Sequence, residues 1–128
     1  MDVLGNTVRA VRPGGTVLDL QVIRPDPVIE AEGRIVGEID GEPLLRWADA
    51  AVAAIDALVR TGRLVDEATD DHDVLKHYAD GPELVSDFAG KQRRLPEHAL
   101  PRLHALDTPC VVRERCRLRR LTVRRSAG

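Results

Sequence analysis

The sequence contains very few of the large side chains from which a hydrophobic core is usually recognised. Aromatic residues make up only 2% of its 128 residues, and they are Trp47, Tyr78 and Phe88. The branched aliphatic residues must therefore build most of the core, together with these three rings. A chain of this length can enclose one core of ordinary size, so we expect a single domain that spans residues 1–128.

Cysteine is also scarce, and the two that occur are not placed for a disulfide. Cys110 and Cys116 lie on one predicted strand, which separates them by roughly 20 Å, whereas a disulfide needs Cα atoms about 4.4–6.8 Å apart. We therefore expect free thiols and a reducing compartment. No leader-like segment is seen, and no apolar run approaches the roughly 20 residues that cross a bilayer. These absences predict a cytoplasmic protein with no membrane partner.

The short motifs that mark nucleotide, metal or redox sites are missing. The sequence has no GxGxxG, GxxxxGK, CxxC or HExxH pattern. His72 and His77 have an odd separation, which places them on opposite faces of a strand. His98 and His104 are separated by roughly 600° of helix rotation. Neither pair can hold a metal ion from its own element.

Two other groups could carry chemistry, but each is better explained as structure. Asp70, Asp71 and Asp73 offer oxygen ligands for a hard cation, although their spacing lacks the glycine and terminal glutamate of an EF-hand loop. A reactive Cys116 would need a nearby base, and the two arginines beside it point away from it in a strand. The catalytic residues are therefore unknown, and no residue is assigned to a cofactor or a metal.

Positive charge is not in excess, since the formal net charge is −2. This balance argues against a general polyanion binder, which needs a whole basic face. The middle of the chain is acidic and its end is basic. The acidic residues are Asp66, Glu67, Asp70, Asp71, Asp73, Asp80, Glu83 and Asp87, and the basic ones are Arg113, Arg115, Arg117, Arg119, Arg120, Arg124 and Arg125. We expect these charges to pair across neighbouring strands and not to bind nucleic acid.

The beginning of the chain predicts a short helix followed by a strand. Apolar residues recur at helical spacing from Leu4 to Val11, and Pro13-Gly14-Gly15 then ends the helix. Thr16–Arg24 is rich in β-branched and aliphatic residues in alternation, which predicts a strand with one face on the core. The residues of that face are Leu18, Leu20 and Val22.

A hairpin and the strongest helix signal follow. Val28–Ile39 predicts a β-hairpin with its tight connection at Glu32-Gly33. The segment Pro43–Thr61 has one apolar stripe with a 3.6-residue period, and Gly62 lies just beyond its end. We expect an amphipathic helix there.

The next segments predict a strand and two short helices. Ala68–Ala79 is expected to be a half-buried strand. Asp80 and Glu83 resemble a capping box, so a helix should begin there and end at Gly90. A further helix over Pro96–Leu106 should be kinked or divided by the proline in its middle.

The last strand is expected over Val111–Arg124. Its apolar residues have even numbers up to Leu118 but odd numbers from Leu121 onward, and a β-bulge at Arg119-Arg120 would restore one continuous apolar face. Together the elements predict an α+β fold with a small, mostly antiparallel sheet of about five strands and three to four helices.

One segment carries a resemblance to a known family. Val8–Leu20 (VRAVRPGGTVLDL) resembles the helix, Pro-Gly-Gly turn and fifth strand of class I S-adenosylmethionine-dependent methyltransferases. The order that follows is similar, with Pro43–Thr61 as the next helix, Ala68–Ala79 as the sixth strand and Val111–Arg124 as the seventh. The residues 73–84 (DVLKHYADGPEL) also resemble the region after that helix. The resemblance covers nearly the whole chain, but only the C-terminal half of the family's fold.

The resemblance implies a protein without a cofactor site of its own. In the family the cofactor lies over the ends of the first, second and fourth strands, at the switch point of a doubly wound sheet. None of these strands is matched here, so we expect the chain alone to bind no cofactor. It would be inactive alone and act as a partner, accessory or remnant. A non-enzymatic α+β binding or regulatory module remains an alternative, as does a self-contained enzyme that uses His72, His77 or the acidic cluster.

The resemblance also bears on assembly. In the family the fourth strand flanks the strand that Thr16–Arg24 resembles, and an open strand edge is usually covered, blunted or paired. The Val28–Ile39 hairpin could fold back over that edge. Otherwise we expect a homo-oligomer, a two-fold dimer being the simplest, or a partner protein at the exposed sheet edge.

Overall fold

The computed structural model describes residues 12–91 and 93–124. Over these residues the fold is α+β, as expected, with one five-stranded antiparallel sheet and three α-helices. The helix expected from Leu4 to Val11 lies outside the described residues. The strands are β1 (Thr16–Val22), β2 (Val28–Ala31), β3 (Arg34–Glu38), β4 (Leu64–Tyr78) and β5 (Cys110–Val123), and the helices are α1 (Leu44–Arg60), α2 (Gly81–Phe88) and α3 (Leu100–His104).

The strand β5 is the centre of the sheet. β1 and β2 lie end to end along one side of β5, and β4 runs along its whole other side. β3 continues the sheet beyond β2. All of these pairs are antiparallel. β5 is thus hydrogen-bonded to β1, β2 and β4, which are far apart in the sequence. The hairpin β2–β3 therefore extends the sheet beside β1 and does not fold over the outer edge of β1.

Two separate cores lie on opposite faces of this sheet. α1 packs on one face and covers Val17, Leu64, Leu121 and Val123 with Ile55. α2 and α3 pack on the other face, toward the opposite end of β5. The buried residues of this larger core are Ile29, Ala31, Ile39, Tyr78, Leu84, Phe88, Ala99, Leu103, Cys110 and Val112. Each helix layer thus covers only part of the sheet face on which it lies.

The predicted β-bulge at Arg119-Arg120 is wrong. β5 pairs with β1 in an unbroken register from Thr122 to Cys116, and the irregularity lies instead in β4, between Asp66 and Ala68. The change from even to odd apolar residues in β5 has another cause. α2 and α3 bury the even-numbered face at its beginning, and α1 buries the odd-numbered face at its end.

Three expectations about burial are also wrong. Leu18 and Leu20 do not face a core, because α1 covers the opposite face of β1. Trp47 is 53% exposed on the outer side of α1. β4 is exposed over most of its length and is not half-buried, because it is an edge strand whose middle no helix covers.

The local predictions at turns and helix ends are confirmed. Glu32 and Gly33 both have positive φ, 53° and 76°, as a two-residue hairpin turn of the mirror-image type requires. The Asp80 carboxylate accepts a hydrogen bond from the Glu83 amide at 2.9 Å and caps α2. The segment expected as a divided helix forms one 3₁₀ turn at Glu97–Ala99 and then α3.

The core between α2 and α3 depends on a close backbone approach at Gly81. A Cβ atom at this buried position would overlap the carbonyl oxygen of Leu103 and lie 2.9 Å from the Cβ of Leu106. We expect Gly81→Ala to lower the free energy of unfolding by about 1–3 kcal/mol, because the two helices must separate. Urea denaturation followed by circular dichroism measures this.

Gly37→Ala is the matched control for Gly81→Ala. A Cβ atom at Gly37 would make ordinary contact, 3.6 Å from Cδ1 of Ile29, so its urea midpoint should stay close to that of the native chain. Equal midpoints for both variants would contradict the close packing at Gly81.

Candidate interaction surface at the edge of the sheet

The outer edge of β1 presents backbone groups that no described strand pairs. The carbonyl oxygen of Gly15 accepts from the Val123 amide at 2.9 Å, and the Ile23 amide donates to the Arg115 carbonyl at 2.8 Å. Because backbone groups alternate sides along a strand, the odd-numbered residues of β1 bond to β5 and the even-numbered ones point away. Among residues 12–91 and 93–124, no strand lies on that outer side. The outward groups in the middle of β1 belong to Leu18, Leu20 and Val22.

Exposed apolar side chains lie beside this edge. Leu18 is 68% exposed, Leu20 60% and Leu118 of β5 38%. Leu20 is the register partner of Leu118, and Val22 is the partner of the buried Cys116, so these side chains share one face. We call Leu18, Leu20, Val22 and Leu118 the leucine patch. It lies on the face that carries α2 and α3, at the end that they leave uncovered.

The edge of β1 differs from the edge of β4, on the other side of β5, where charged side chains oppose pairing. β4 carries six acidic or basic residues over its 15 positions, and charged side chains are a common device that keeps edge strands from pairing. β1 carries a single one, Asp19, over seven positions. The edge of β4 is therefore more strongly protected against pairing than the edge of β1.

The opposite face of the sheet carries a row of arginines from β5, each paired with carboxylates. Arg113 contacts Glu30 and Asp73, Arg115 contacts Asp73, and Arg117 contacts Asp71. Hydrogen bonds from these arginines lower the pKa values of the three carboxyl groups, from Arg113 for Glu30 and Asp73 and from Arg117 for Asp71. This is the cross-strand pairing expected from the acidic middle and the basic end of the sequence.

Arg119 is the buried member of this row, with its side chain only 6% exposed. It lies between Asp56 of α1, at 2.7 Å, and Asp66 of β4, at 2.9 Å. The sequence did not indicate that this arginine is buried, because an arginine within an arginine-rich strand is expected to be a surface residue. Loss of both carboxylates would leave the buried guanidinium without a partner, and an unpaired buried charge typically costs about 3–5 kcal/mol.

The residues singled out from the sequence do not converge on one site. His72 and His77 lie on opposite faces of β4, since their register partners are Cys116 and Val111. Asp71 and Asp73 bind arginines, and Asp70 contacts Nδ1 of His72 at 2.9 Å. Both thiols are buried, free, and raised in pKa by that burial. Within the described ranges, no three His, Cys, Asp or Glu side chains are grouped to hold a metal ion.

A polar cluster between the end of β4 and the last turn of α2 was not recognised from the sequence. The Tyr78 hydroxyl donates to the Asp87 carboxylate at 2.5 Å, and the ammonium groups of Lys76 and Lys91 lie 2.8 and 3.1 Å from it. The pKa of Asp87 is held well below its usual range by hydrogen bonds, first from Lys76 and then from Tyr78 and Lys91. Burial, and then the bond to Asp87, raise the pKa of Tyr78 to about 12. At neutral pH the carboxyl is therefore ionised and the phenol protonated, so neither is poised for proton transfer.

A cleft of about 740 Å³ opens beside α2 and is lined in part by Phe88, Lys91, Arg93 and Arg94. Its cations are largely engaged, because Lys91 contacts Asp87 and Arg93 forms an ion pair with Glu114. The guanidinium of Arg93 also lies 5.2 Å from the centre of the Phe88 ring. This arrangement closes the larger core and offers few free groups to a ligand.

In the comparisons with known proteins, no family model, no curated protein and no solved structure matches this chain. The outer edge of β1 and the leucine patch are therefore interpreted from their own geometry.

The polar cluster predicts that Tyr78 titrates at unusually alkaline pH, and the absorbance of its own phenolate reports this titration. Tyr78 is the sole tyrosine, so its phenolate absorbance should rise with a midpoint near pH 12 while the fold is intact, against about 10 for an unperturbed tyrosine. The contribution of Tyr78 to the free energy of unfolding should be fully present below pH 10. It should fall between pH 10 and 12, because in that range the phenol ionises only in the unfolded chain.

Asp87→Asn should lower the Tyr78 midpoint, but not fully to 10, because burial remains. Ser86→Ala, an exposed neighbour on α2, should leave the midpoint unchanged. A native chain that ionises near pH 10 with its circular dichroism intact would contradict the cluster.

Proposed function

We propose that this chain is a methyltransferase-like C-terminal half that acts as an accessory or partner protein. It docks through the outer edge of β1 and has no complete active site of its own. The open edge of β1, bordered by the leucine patch, is the observation that carries this proposal.

The order and direction of the elements support the methyltransferase-like part. β1 is followed by α1, then by β4 and β5, in the order that the resemblance implies. β5 is antiparallel to both β1 and β4, which gives the sheet the antiparallel end expected of the family's sixth and seventh strands. The hairpin β2–β3 is an addition between β1 and α1.

The position of the open edge supports the docking part. In the family the fifth strand, which β1 resembles, is flanked by the fourth strand. Here β1 pairs with β5 on one side, and its other side is the side on which a further strand would lie. A sheet edge with exposed apolar side chains is suited to strand addition by another polypeptide.

A non-enzymatic binding module unrelated to methyl transfer is the second candidate, and the leucine patch favours it equally. A self-contained enzyme has less support. His72 and His77 are on opposite faces of β4, and the carboxylates of Asp71 and Asp73 are engaged by arginines. A neighbouring gene that encodes a strand followed by a glycine-rich turn would favour the methyltransferase-like reading.

The remaining partner and compartment proposals rest on separate observations. The pairing of the β5 arginines with carboxylates supports the proposal that this face does not bind nucleic acid. Over the part of the chain that the structure describes, no helix is long and apolar enough to cross a membrane. We propose a cytoplasmic location on other grounds, because both cysteines are free and reduced thiols are typical of that compartment.

The proposal predicts that the isolated chain does not bind S-adenosylmethionine. Calorimetric titration of the cofactor into the purified chain should give no saturable heat, because the strands over which the family binds it have no counterpart among the described elements. A complete class I methyltransferase titrated under the same conditions is the positive control. A saturable site of micromolar affinity in this chain would contradict the proposal.

A further inference from the structure

We propose that the docking partner at the outer edge of β1 is a second copy of this chain. The two β1 strands pair antiparallel around a two-fold axis at Leu20. This rests on the proposed function in one respect, namely that the edge of β1 is the docking surface. It adds the identity of the occupant and the register of the contact.

The sequence of β1 and the residue after it is nearly symmetric in chemistry about Leu20. Pairing around that residue places Leu18 opposite Val22 of the second copy, and Val17 opposite Ile23. It also places Asp19 opposite Gln21, whose amide donates to Asp19 of its own chain at 2.8 Å and has a second N–H for the carboxylate of the copy. Each apolar residue thus meets an apolar residue, and the one charge meets a hydrogen-bonding partner. A two-fold contact uses one patch twice, and this strand is complementary to itself in that way.

The backbone supports the same register. The groups of Leu18, Leu20 and Val22 point to the open edge, and residues opposite each other in a hydrogen-bonded antiparallel pair exchange two bonds. Leu20 would exchange two bonds with its own copy, and the two Leu18 and Val22 pairs would do the same, which gives about six bonds. Pro25 has no amide hydrogen, so the paired region ends close to Ile23.

Other registers are less favourable. A centre at Asp19 places the two Asp19 carboxylates opposite each other, and like charges in that position are destabilising. A centre at Gln21 places Leu18 opposite Arg24 and Asp19 opposite Ile23. A centre between two residues would bring outward backbone groups against inward ones, which breaks the ladder.

The leucine patch becomes continuous in the proposed dimer. On the face that carries α2 and α3, the pairs formed by Leu18, Leu20 and Val22 with their copies join into one apolar strip, flanked by Leu118 of each chain. Removing these exposed side chains from water favours association. The contact is nonetheless short, with seven residues in each strand, so the dimer should form in a concentration-dependent way.

The test is the molar mass of the full chain by sedimentation equilibrium over a wide concentration range. The native chain should pass from monomer to dimer. Leu20→Arg places two like charges at the axis and should raise the dissociation constant by about 100-fold or more. Leu20 is 60% exposed, so the variant should fold, which circular dichroism checks.

Ile35→Arg is the matched control, because Ile35 is also 60% exposed but lies on β3. It should dimerise like the native chain. Leu20→Glu should be monomeric alone, but its mixture with Leu20→Arg should form a heterodimer, because residue 20 of one copy faces residue 20 of the other. The recovery of a dimer in this mixture requires the register in which residue 20 of one copy lies opposite residue 20 of the other.

Each outcome decides the proposal. A native chain that stays monomeric at every concentration overturns it, and so does a dimer that tolerates Leu20→Arg or whose two charge variants do not associate. A monomer that also gives no heat with S-adenosylmethionine would leave the proposed accessory role in place with a different partner. A chain that binds the cofactor would overturn the proposed function whatever its mass.

Discussion

The hydrogen bonding of β5 is the constraint on which the rest of the structure depends. One strand of 14 residues pairs with β4 on one side and with both β1 and β2 on the other. Because no single helix layer covers a strand of this length, α2 and α3 bury one face at its beginning and α1 buries the other at its end. Between Cys116 and Leu121 the buried face changes, and Arg119 lies in this region, where Asp56 and Asp66 neutralise it.

This division explains the surface that we interpret as functional. β1 lies beside the second half of β5, so the helix that packs on it is α1. The opposite face of β1, which carries Leu18 and Leu20, is not covered by a helix. The charges of β4 keep the opposite edge of the sheet from pairing, whereas β1 has a single charge to prevent it. The edge of β1 is therefore less protected against pairing than the edge of β4, and Leu18 and Leu20 lie exposed beside it.

Local chemistry determines the type of each element, the hairpin turn, the Asp80 cap and the division of the segment around α3. The sequence therefore predicted these features well. Burial did not follow in the same way. Alternation in β1 shows two faces but not which of them a helix will cover, and the uncovered face with Leu18 and Leu20 is the more apolar one. In β5 a bulge would produce the same change of apolar phase in a strand covered on one face only; the actual cause is the arrangement of helices on both faces. The buried Arg119 and the bond between Tyr78 and Asp87 join distant segments, which no local pattern reveals.

Amide hydrogen exchange along β1, read residue by residue with NMR, tests the central claim most directly. In dilute solution the odd-numbered amides, such as Asp19 and Gln21, should be protected by β5, while those of Leu18, Leu20 and Val22 exchange rapidly. With rising protein concentration the even-numbered amides should become protected in the native chain but not in the Leu20→Arg variant. Equal protection of odd and even amides at the lowest concentration, or even-numbered amides that stay unprotected at every concentration, would contradict an edge of β1 that is open and pairs with its own copy.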